Sequence, residues 1–177
     1  MTAPVAPRTP GAVDGHAGGP ASHKPLTLPF APTLDEAWDE ADLAAIHGEI
    51  SRTYWAEGIP LALMRQAMAG SLNLIVRHPD RSVVAYARVI SDRATFAYLC
   101  DVFVLPPWRG RGLGDWLVAR VMSHSGLQGL RRFSLVTRDA HALYARHGFT
   151  PLAAPDRGME IVRPGLYLQP SAAAPQV

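Results

Sequence analysis

An arginine- and glycine-rich stretch in the second half of the chain has the residue types of an anion-binding loop. Gly110, Gly112 and Gly114 alternate with Arg109 and Arg111 after a β-type apolar run. Glycine has no Cβ and adopts positive φ readily, so successive N–H groups can converge on one anion. The helix predicted to begin here adds its unpaired first N–H groups and its positive dipole end. The loop is therefore predicted to hold a phosphate-type anion, with both arginines adding charge.

Two other phosphate motifs do not fit these residues. The phosphate loop of nucleotide hydrolases has Lys and then Ser or Thr after its last glycine, whereas Gly114 is followed by Asp115 and Trp116. A dinucleotide fingerprint has Gly or Ala at its third position and a carboxylate further along the chain. The third position is Asp115 or Leu117 here, and residues 130–135 contain no carboxylate. Both nucleotide motifs are excluded.

The elements that must position this loop follow from the apolar pattern. Period-two runs predict strands over Pro25–Pro32, Leu72–Val76, Ser82–Ile90, Thr95–Val104, Phe133–Val136, Phe149–Leu152 and Met159–Val162. Helical spacing predicts helices from a cap at Asp42 into Tyr54-Trp55, from Pro60 to Gly70, from Gly112 to about Ser125, and over Ala140–Arg146. The predicted fold class is α/β (α+β), a mixed and mostly antiparallel sheet with a parallel pair at the crossover and helices on both faces.

Length and composition favour a single domain. The chain has 177 residues, 48% hydrophobic and 18% charged, with a net charge of +2. Residues 1–24 are rich in Ala, Gly and Pro and predict a disordered leader, residues 25–168 the domain, and residues 169–177 a flexible tail. The mild positive charge favours a local anion site over nucleic-acid binding. No apolar run reaches membrane-span length.

Cys100 is the single cysteine, which excludes an intrachain disulfide and a multi-cysteine metal site. The histidines have no paired metal-ligand spacing. We therefore expect a cytoplasmic protein with no metal, no membrane association and no nucleic-acid partner.

Two motifs together resemble a known family. Arg109-x-x-Gly112-x-Gly114 is followed by a segment that runs from Leu143-Tyr144 to Gly148-Phe149. The first resembles the acetyl-CoA motif of the GNAT superfamily of N-acetyltransferases, and the second its Leu-Tyr-x-x-x-Gly-Phe motif. The resemblance extends from about Pro25 to Pro164 and implies the GNAT fold with a splayed parallel strand pair. The segment from Ala94 to Val104 is similar to a bacterial subgroup of small GNAT proteins whose acceptors are mostly unassigned.

The resemblance implies a site for acetyl-CoA. In such enzymes the pantetheine arm lies along a splayed strand, which here implies Val102, Phe103 and Val104. The pyrophosphate is expected on the backbone of the loop, which comprises Arg109, Gly110, Arg111, Gly112, Leu113 and Gly114. Thr137 stands where the family often has Asn and is expected to hydrogen-bond the cofactor.

The resemblance also suggests an acid and a base. Tyr144 corresponds to the tyrosine that protonates the departing thiolate and also contacts the cofactor. Residues 99–104 resemble the Leu-Glu-Asp-x-x-Val segment of polyamine acetyltransferases, in which the Glu acts as general base, but Cys100 stands at the position of that Glu. Asp101 is then the nearest carboxylate, although strand alternation turns it to the opposite face unless a bulge intervenes. A structural role for Asp101, a water chain as base, and Cys100 as a covalent acetyl carrier are the alternatives.

Other polar and aromatic residues have expected places. The acceptor pocket is expected beside Tyr54 and Trp55, which either wall an amine site or anchor their loop, and beside Tyr98. Asp139 is placed to cap the helix that carries Tyr144. His141 and His147, which flank Tyr144, are expected on a surface helix.

The leading hypothesis is direct transfer of an acetyl group from acetyl-CoA to a primary amine of a small molecule or peptide. One alternative is a non-catalytic acyl-CoA-binding or sensor domain that kept the loop and lost the base. Another is an acyltransferase that uses a different acyl-CoA. A homodimer is compatible with the sequence.

Overall fold

The structure, a computed structural model, describes residues 24–169. The predicted leader up to residue 23 and the tail from residue 170 lie outside the described residues. The strands are β1 (Thr33–Asp35), β2 (Leu72–Arg77), β3 (Val83–Ser91), β4 (Phe96–Val104) and β5 (Arg132–Leu135). The helices are α1 (Glu40–Ile50), α2 (Leu61–Ala69), α3 (Leu113–Met122) and α4 (His141–Ala145), with short 3₁₀ turns between elements.

The strands form one mixed sheet in the order β1-β2-β3-β4-β5. Its pairs from β1 to β4 are antiparallel, and β4 and β5, which the crossover helix α3 connects, are parallel. The predicted fold class and the meander from residue 72 to residue 104 are confirmed. Within the described residues the helices lie on both faces, as expected.

Each face of the sheet has its own core. Leu74 and Val76 of β2 point to the face covered by the α3 residues Leu117 and Val121. The intervening Ile75 points to the other face, with the α1 and α2 side chains Leu43, Ile46, Ile50, Met64 and Met68. This alternation follows from the two-residue period of a strand. Helix α3 therefore lies on one face and the α1–α2 pair on the other, with the sheet between them.

The N-cap of helix α1 lies three residues before the predicted cap, Asp42, and the helix ends at Ile50 rather than at Tyr54-Trp55. Asp39 is the N-cap, since its carboxylate accepts the N–H of Asp42 at 2.9 Å while Asp42 accepts the N–H of Asp39 at 3.0 Å. This reciprocal capping box satisfies two orphan donors. Asp42 also binds the buried Arg77 of β2 through two hydrogen bonds, at 2.6 and 2.8 Å. That pair fixes α1 to the sheet.

Three predicted strands are wrong in the described chain. The segment 25–32 is irregular, and the first strand is Thr33–Asp35 instead, because the three prolines at 25, 29 and 32 have no N–H for a ladder. Residues 149–152 form no strand, and Pro151 in their centre likewise has no N–H. Residues 159–162 are also irregular and pair with no strand. An alternating pattern needs a partner edge before it becomes a strand.

Among residues 24–169, no helix is long and apolar enough to cross a membrane.

Candidate active site

The parallel strands β4 and β5 separate halfway along β4. They pair at four positions, from Phe96–Arg132 to Leu99–Leu135. Beyond Leu99, β4 continues to Val104 and is paired with β3 alone. Within the described residues, the β5-facing edge of β4 therefore has backbone hydrogen-bonding groups without a strand partner, and an extended ligand can bind such an edge.

A cavity of about 260 Å³ occupies the gap between the separating strands. It brings together predicted residues from four separate segments, namely Tyr54, Trp55, Tyr98, Asp101, Val102, Thr137 and Tyr144. We call it the inner cleft. The side chain of Phe103 lies elsewhere, since it packs in the core beneath α1 and α2. Only the backbone of Phe103 can therefore contact a ligand that lies along β4.

The arginine- and glycine-rich loop lies at the end of the open edge. Gly112 is the N-cap of α3 with φ +82°, and a Cβ there would lie 2.4 Å from the carbonyl oxygen of Pro25. Only glycine fits that position without displacing the backbone. A Cβ at Gly114 would lie 3.7 Å from Val104, which places the first turn of α3 beside the end of β4. The first N–H groups of a helix have no acceptor within it, so this end can bind an anion.

The two loop arginines are exposed, and each has one contact. The Nε of Arg109 donates to the carbonyl oxygen of Val104 at 2.7 Å. The guanidinium of Arg111 lies 5.8 Å from the ring centre of Trp108. Both contacts hold positive charge near the start of α3, where the helix dipole also favours an anion.

Tyr144 is the most enclosed hydroxyl of the inner cleft, with 8% of its surface exposed. Burial, together with the charges of Tyr54 and Asp139, raises the pKa of Tyr144 to about 12. The phenol therefore keeps its proton at neutral pH. A protonated hydroxyl at this position is suited to act as a proton donor.

Asp101 lies at a β-bulge. Arg88 pairs with Cys100 and Tyr86 with Phe103, so two residues of β4 oppose one residue of β3. Asp101 has φ +52°, a conformation that Asp tolerates better than most residues. The bulge breaks the strand alternation and places Asp101 at the inner cleft, contrary to what alternation alone predicts.

The Asp101 carboxylate has two partners. It accepts hydrogen bonds from Arg88 Nε at 2.6 Å and from Trp55 Nε1 at 3.1 Å. Arg88 also donates to Ser71 Oγ at 3.0 Å. Asp101 therefore links the loop after α1 to β3, and Arg88 extends this link to Ser71 beside β2.

Cys100 faces the same cleft as a thiol. Burial raises the pKa of Cys100 to about 12, the charge of Asp101 raises it as well, and Arg88 lowers it. The thiolate is the nucleophilic form of cysteine. Its high pKa therefore argues against Cys100 as a covalent carrier of the acetyl group.

Comparison with known proteins agrees with this geometry. A family model described as an acetyltransferase (GNAT) domain matches residues 70–151. A crystal structure from Xanthomonas campestris pv. campestris, named a putative acetyltransferase of the GNAT family, is 51% identical. The match covers 79% of this chain and 99% of that one, with a TM-score of 0.74. The chain belongs to the GNAT family.

Two further relatives are more distant from this GNAT chain. A putative acetyltransferase of Gibberella zeae is 39% identical over 67 residues, a match that covers 36% of this chain and 37% of that protein. The chain thus matches little more than a third of that curated relative. A Clostridium acetobutylicum structure, named a predicted acetyltransferase with acetyl-CoA, is 17% identical with a TM-score of 0.57, covering 75% of this chain and 96% of that one. This last likeness shows the shared GNAT fold alone.

The segment before α4 differs from the expectation for its cap. Asp139 does not cap the helix; instead Thr137 Oγ1 accepts the N–H of Ala140 at 3.0 Å. A threonine hydroxyl can bind a nearby backbone N–H in this way. The Thr137 hydroxyl still has its own hydrogen to donate into the inner cleft of this GNAT domain.

One histidine prediction also needs correction. The His147 side chain is 2% exposed rather than at the surface, and its Nε2 lies 3.2 Å from the Asp115 carboxylate. Arg146 Nε donates to the same carboxylate at 2.8 Å, and so does the N–H of Lys24 at 3.1 Å. Asp115 thus joins the start of α3 to the end of α4. His141 is exposed, as expected.

Sequence reasoning missed two arginines that contact Asp101 and Tyr54 at the inner cleft of this GNAT domain. Arg88 holds Asp101, and the Arg138 guanidinium lies 3.9 Å from the ring centre of Tyr54. A signal for Arg88 was present, since it is a charged residue within the apolar strand β3 and a buried charge needs a partner. No comparable signal marks Arg138. Among residues 24–169, no cluster of His, Cys, Asp and Glu is arranged to hold a metal ion.

Proposed function

We propose that this GNAT protein transfers an acetyl group from acetyl-CoA to a primary amine by direct attack. The observation that carries the proposal is the convergence of three features at one cleft. The open edge of β4 ends at the first turn of α3, and the protonated Tyr144 faces the same gap. Each feature suits one part of the acyl-CoA reaction: the strand edge suits the extended pantetheine arm, the helix start suits the pyrophosphate, and the hydroxyl suits protonation of the departing thiolate.

The donor lies along β4 in this proposal. Its pantetheine arm hydrogen-bonds the backbone of Val102, Phe103 and Val104, and its pyrophosphate binds the N–H groups of residues 110–114. Arg109 and Arg111 add positive charge. One N–H of the β4 edge polarises the thioester carbonyl, in the manner of an oxyanion hole.

The acceptor amine enters beside Tyr54, Trp55 and Tyr98. Its ammonium first loses a proton to Asp101, directly or through water. The neutral nitrogen attacks the carbonyl carbon, the carbon–sulfur bond breaks, and the departing thiolate takes the proton of Tyr144. The nitrogen, which carries a positive charge after the attack, releases its second proton to solvent. The products are an acetylated amine and free CoA, and both side chains return to their first protonation states by exchange with solvent.

A second candidate function is acyl-CoA binding without turnover. The engagement of both Asp101 oxygens by Arg88 and Trp55 favours it, because each oxygen already accepts a hydrogen bond from the protein. A third candidate keeps the transfer but uses a longer acyl donor.

The single cysteine, held as a thiol, is consistent with a cytoplasmic protein.

The experiment is a thiol-release assay with acetyl-CoA and a panel of amines: propylamine, 2-phenylethylamine, spermidine, amino acids and short peptides. Calorimetry with acetyl-CoA runs in parallel. We expect acetyl-CoA binding together with CoA release for at least one amine. Binding without release for every amine supports the sensor instead, and release with butyryl-CoA alone supports the longer donor. No binding of any acyl-CoA contradicts the proposal.

A further inference from the structure

A second cavity lies on the outer side of the Tyr54–Trp55 pair. It has a volume of about 630 Å³ and is bounded by residues 54–57 on one side and 161–168 on the other. We call it the outer cavity. Tyr54 and Trp55 line both this cavity and the inner cleft. The two aromatic side chains are therefore a shared wall, and the two spaces adjoin.

The outer cavity displays apolar side chains that the fold does not cover. Ile161 is 88% exposed and Trp55 is 45% exposed. Val162, Leu166 and Leu168 are exposed beside them. Apolar side chains that are exposed together around a concave space are typical of a place where a ligand or partner binds.

The walls of the outer cavity are held together by direct packing. A Cβ on Gly58, which has φ +75°, would lie 2.8 Å from Leu168 Cδ2 and 3.2 Å from the Tyr167 carbonyl oxygen. Tyr167 in turn packs against the core beneath α1 and α2. The segment 161–168 is thus seated on the loop that follows α1.

The inner cleft is small for two reactants. Pockets that enclose a drug-sized ligand have volumes of roughly 300–1,000 Å³, and the inner cleft has about 260 Å³. In the proposed reaction this space receives the thioester and the attacking nitrogen. The remainder of an acceptor must therefore lie outside the inner cleft, and on the side of Tyr54 and Trp55 the adjoining space is the outer cavity.

The charged residues around the wall do not form an acidic surface for an acceptor with several positive groups. The Arg138 guanidinium lies on the Tyr54 ring, Arg163 and Glu57 both line the outer cavity, and Asp139 lines the inner cleft. The additional ammonium groups of a polyamine would therefore meet charges of both signs. A neutral apolar group would instead cover the exposed apolar side chains.

From these observations we infer that the acceptor is a primary amine joined to a bulky apolar group of aromatic size, which binds in the outer cavity. The inference rests on the proposed function and adds the substrate class. The amine reaches the inner cleft, and the apolar group contacts Ile161, Trp55 and Leu166. A small amine such as propylamine would react without that contact.

The first test compares acceptors on the wild-type protein with acetyl-CoA saturating. We expect kcat/KM for 2-phenylethylamine to exceed that for propylamine by about tenfold or more, since burying a group of that size in an apolar pocket is worth at least that ratio. Spermidine should be no better than propylamine. Equal values for 2-phenylethylamine and propylamine, or a preference for spermidine, would overturn the inference.

The second test uses a matched pair of variants. Ile161→Asn places an amide in the outer cavity, whereas Met159→Asn makes a comparable change at a side chain that is 99% exposed and does not line it. Ile161→Asn should lower kcat/KM for 2-phenylethylamine roughly five- to tenfold and leave propylamine unchanged. Met159→Asn should change neither. Equal losses for both amines in Ile161→Asn would contradict the inference.

Calorimetry separates failure of this inference from failure of the proposed function. Should no amine release CoA, the proposed reaction is wrong, and binding of 2-phenylethylamine to the CoA complex then decides the outer cavity. Saturable binding that Ile161→Asn weakens and Met159→Asn does not would support the apolar ligand class. Absence of binding would overturn it.

Discussion

The donor side and the acceptor side of the cleft are built differently. On the donor side, the end of β4, the loop and the first turn of α3 are contiguous in the chain, from Val102 to Gly114. On the acceptor side, the walls come from the three distant segments 54–57, 98–101 and 161–168. In the proposed function, donor recognition therefore uses backbone groups and glycine conformations, whereas acceptor recognition uses side chains that meet only after folding.

This difference explains why one side is easier to recognise than the other. A backbone cradle restricts residue identity strongly, because a Cβ at Gly112 would collide with Pro25. A side-chain pocket accepts many residues of suitable size, so no fixed spacing marks it. We therefore expect substitutions on the donor side to affect every acyl-CoA reaction, and those on the acceptor side to change selectivity among amines.

The largest effect is expected where the two sides meet, at Tyr144. Tyr144→Phe removes the proposed proton donor and keeps the ring, so kcat should fall by roughly 10²-fold or more. The Kd for acetyl-CoA should stay within about twofold of the wild-type value, since the Tyr144 hydroxyl acts mainly by donating its proton to the departing thiolate. Steady-state kinetics with calorimetry provide both values.

Tyr98→Phe is the control in the same cleft, and we expect it to change KM for the amine more than kcat. An unchanged kcat in Tyr144→Phe would remove Tyr144 from the mechanism.

Asp101→Asn tests whether the acceptor side depends on the buried ion pair. The amide still accepts the Trp55 N–H but leaves the Arg88 charge without its partner. Loss of one partner of a buried pair costs about 3–5 kcal/mol in the free energy of unfolding. Chemical denaturation measures that loss. The pH profile of kcat/KM shows whether Asp101 also acts as the general base, because loss of a base changes the profile and loss of a structural contact does not.

Trp55→Phe is the matched variant, because it removes the N–H that donates to Asp101 and keeps a smaller aromatic ring in the wall. A stable Asp101→Asn protein with a normal pH profile would show that Asp101 is neither base nor anchor.

A pair of glycine substitutions tests the donor side. Gly112→Ala should weaken CoA binding by about tenfold and destabilise the fold by roughly 1–3 kcal/mol, since it adds a backbone collision at positive φ. Gly110→Ala shares the positive φ, at +75°, but has no atom within 4 Å of the added Cβ. It should therefore cost only about 1 kcal/mol. Equal losses in both variants would show that the contact with Pro25 is unimportant.

The smallest effect concerns acid stability at the start of α3. Burial raises the pKa of Asp115, but the Arg146 hydrogen bond and the charges of His147 and Arg146 outweigh it and hold the pKa below its usual value. A lowered folded pKa gives stability that is present above the unfolded pKa of about 4 and is lost as pH falls through the folded pKa. Asp115→Asn should be less stable at neutral pH and have a shallower acid slope. Identical slopes in denaturation series from pH 6 to pH 3 would contradict this.

The sequence was most informative where interactions are local. The meander from Leu72 to Val104 alternates regularly, and each of its strands pairs with the next, so pattern and structure agree. Pro60 and Gly70 bracket α2 as expected. The loop and the Tyr144 motif indicated the family because backbone geometry and the proposed chemistry both restrict these residues.

Prediction failed where the outcome depends on distant partners. Residues 159–162 have the pattern of a strand, but none of them joins the sheet, and Ile161 and Val162 line the outer cavity instead. The direction of the Asp101 side chain depends on a bulge that alternation does not reveal. The buried position of His147 depends on the contact of its Nε2 with the carboxylate of Asp115, which lies 32 residues earlier in the chain. Such pairings follow from tertiary packing, which no local spacing encodes.

The most direct test of the account is a crystal structure of the protein with CoA. We predict the thiol in the inner cleft, within hydrogen-bond reach of the Tyr144 hydroxyl at roughly 3 Å. The pyrophosphate should lie on the N–H groups of residues 110–114 and the pantetheine along the open edge of β4. A CoA molecule that leaves the gap between β4 and β5 empty, or whose thiol points away from Tyr144, would contradict the central claim.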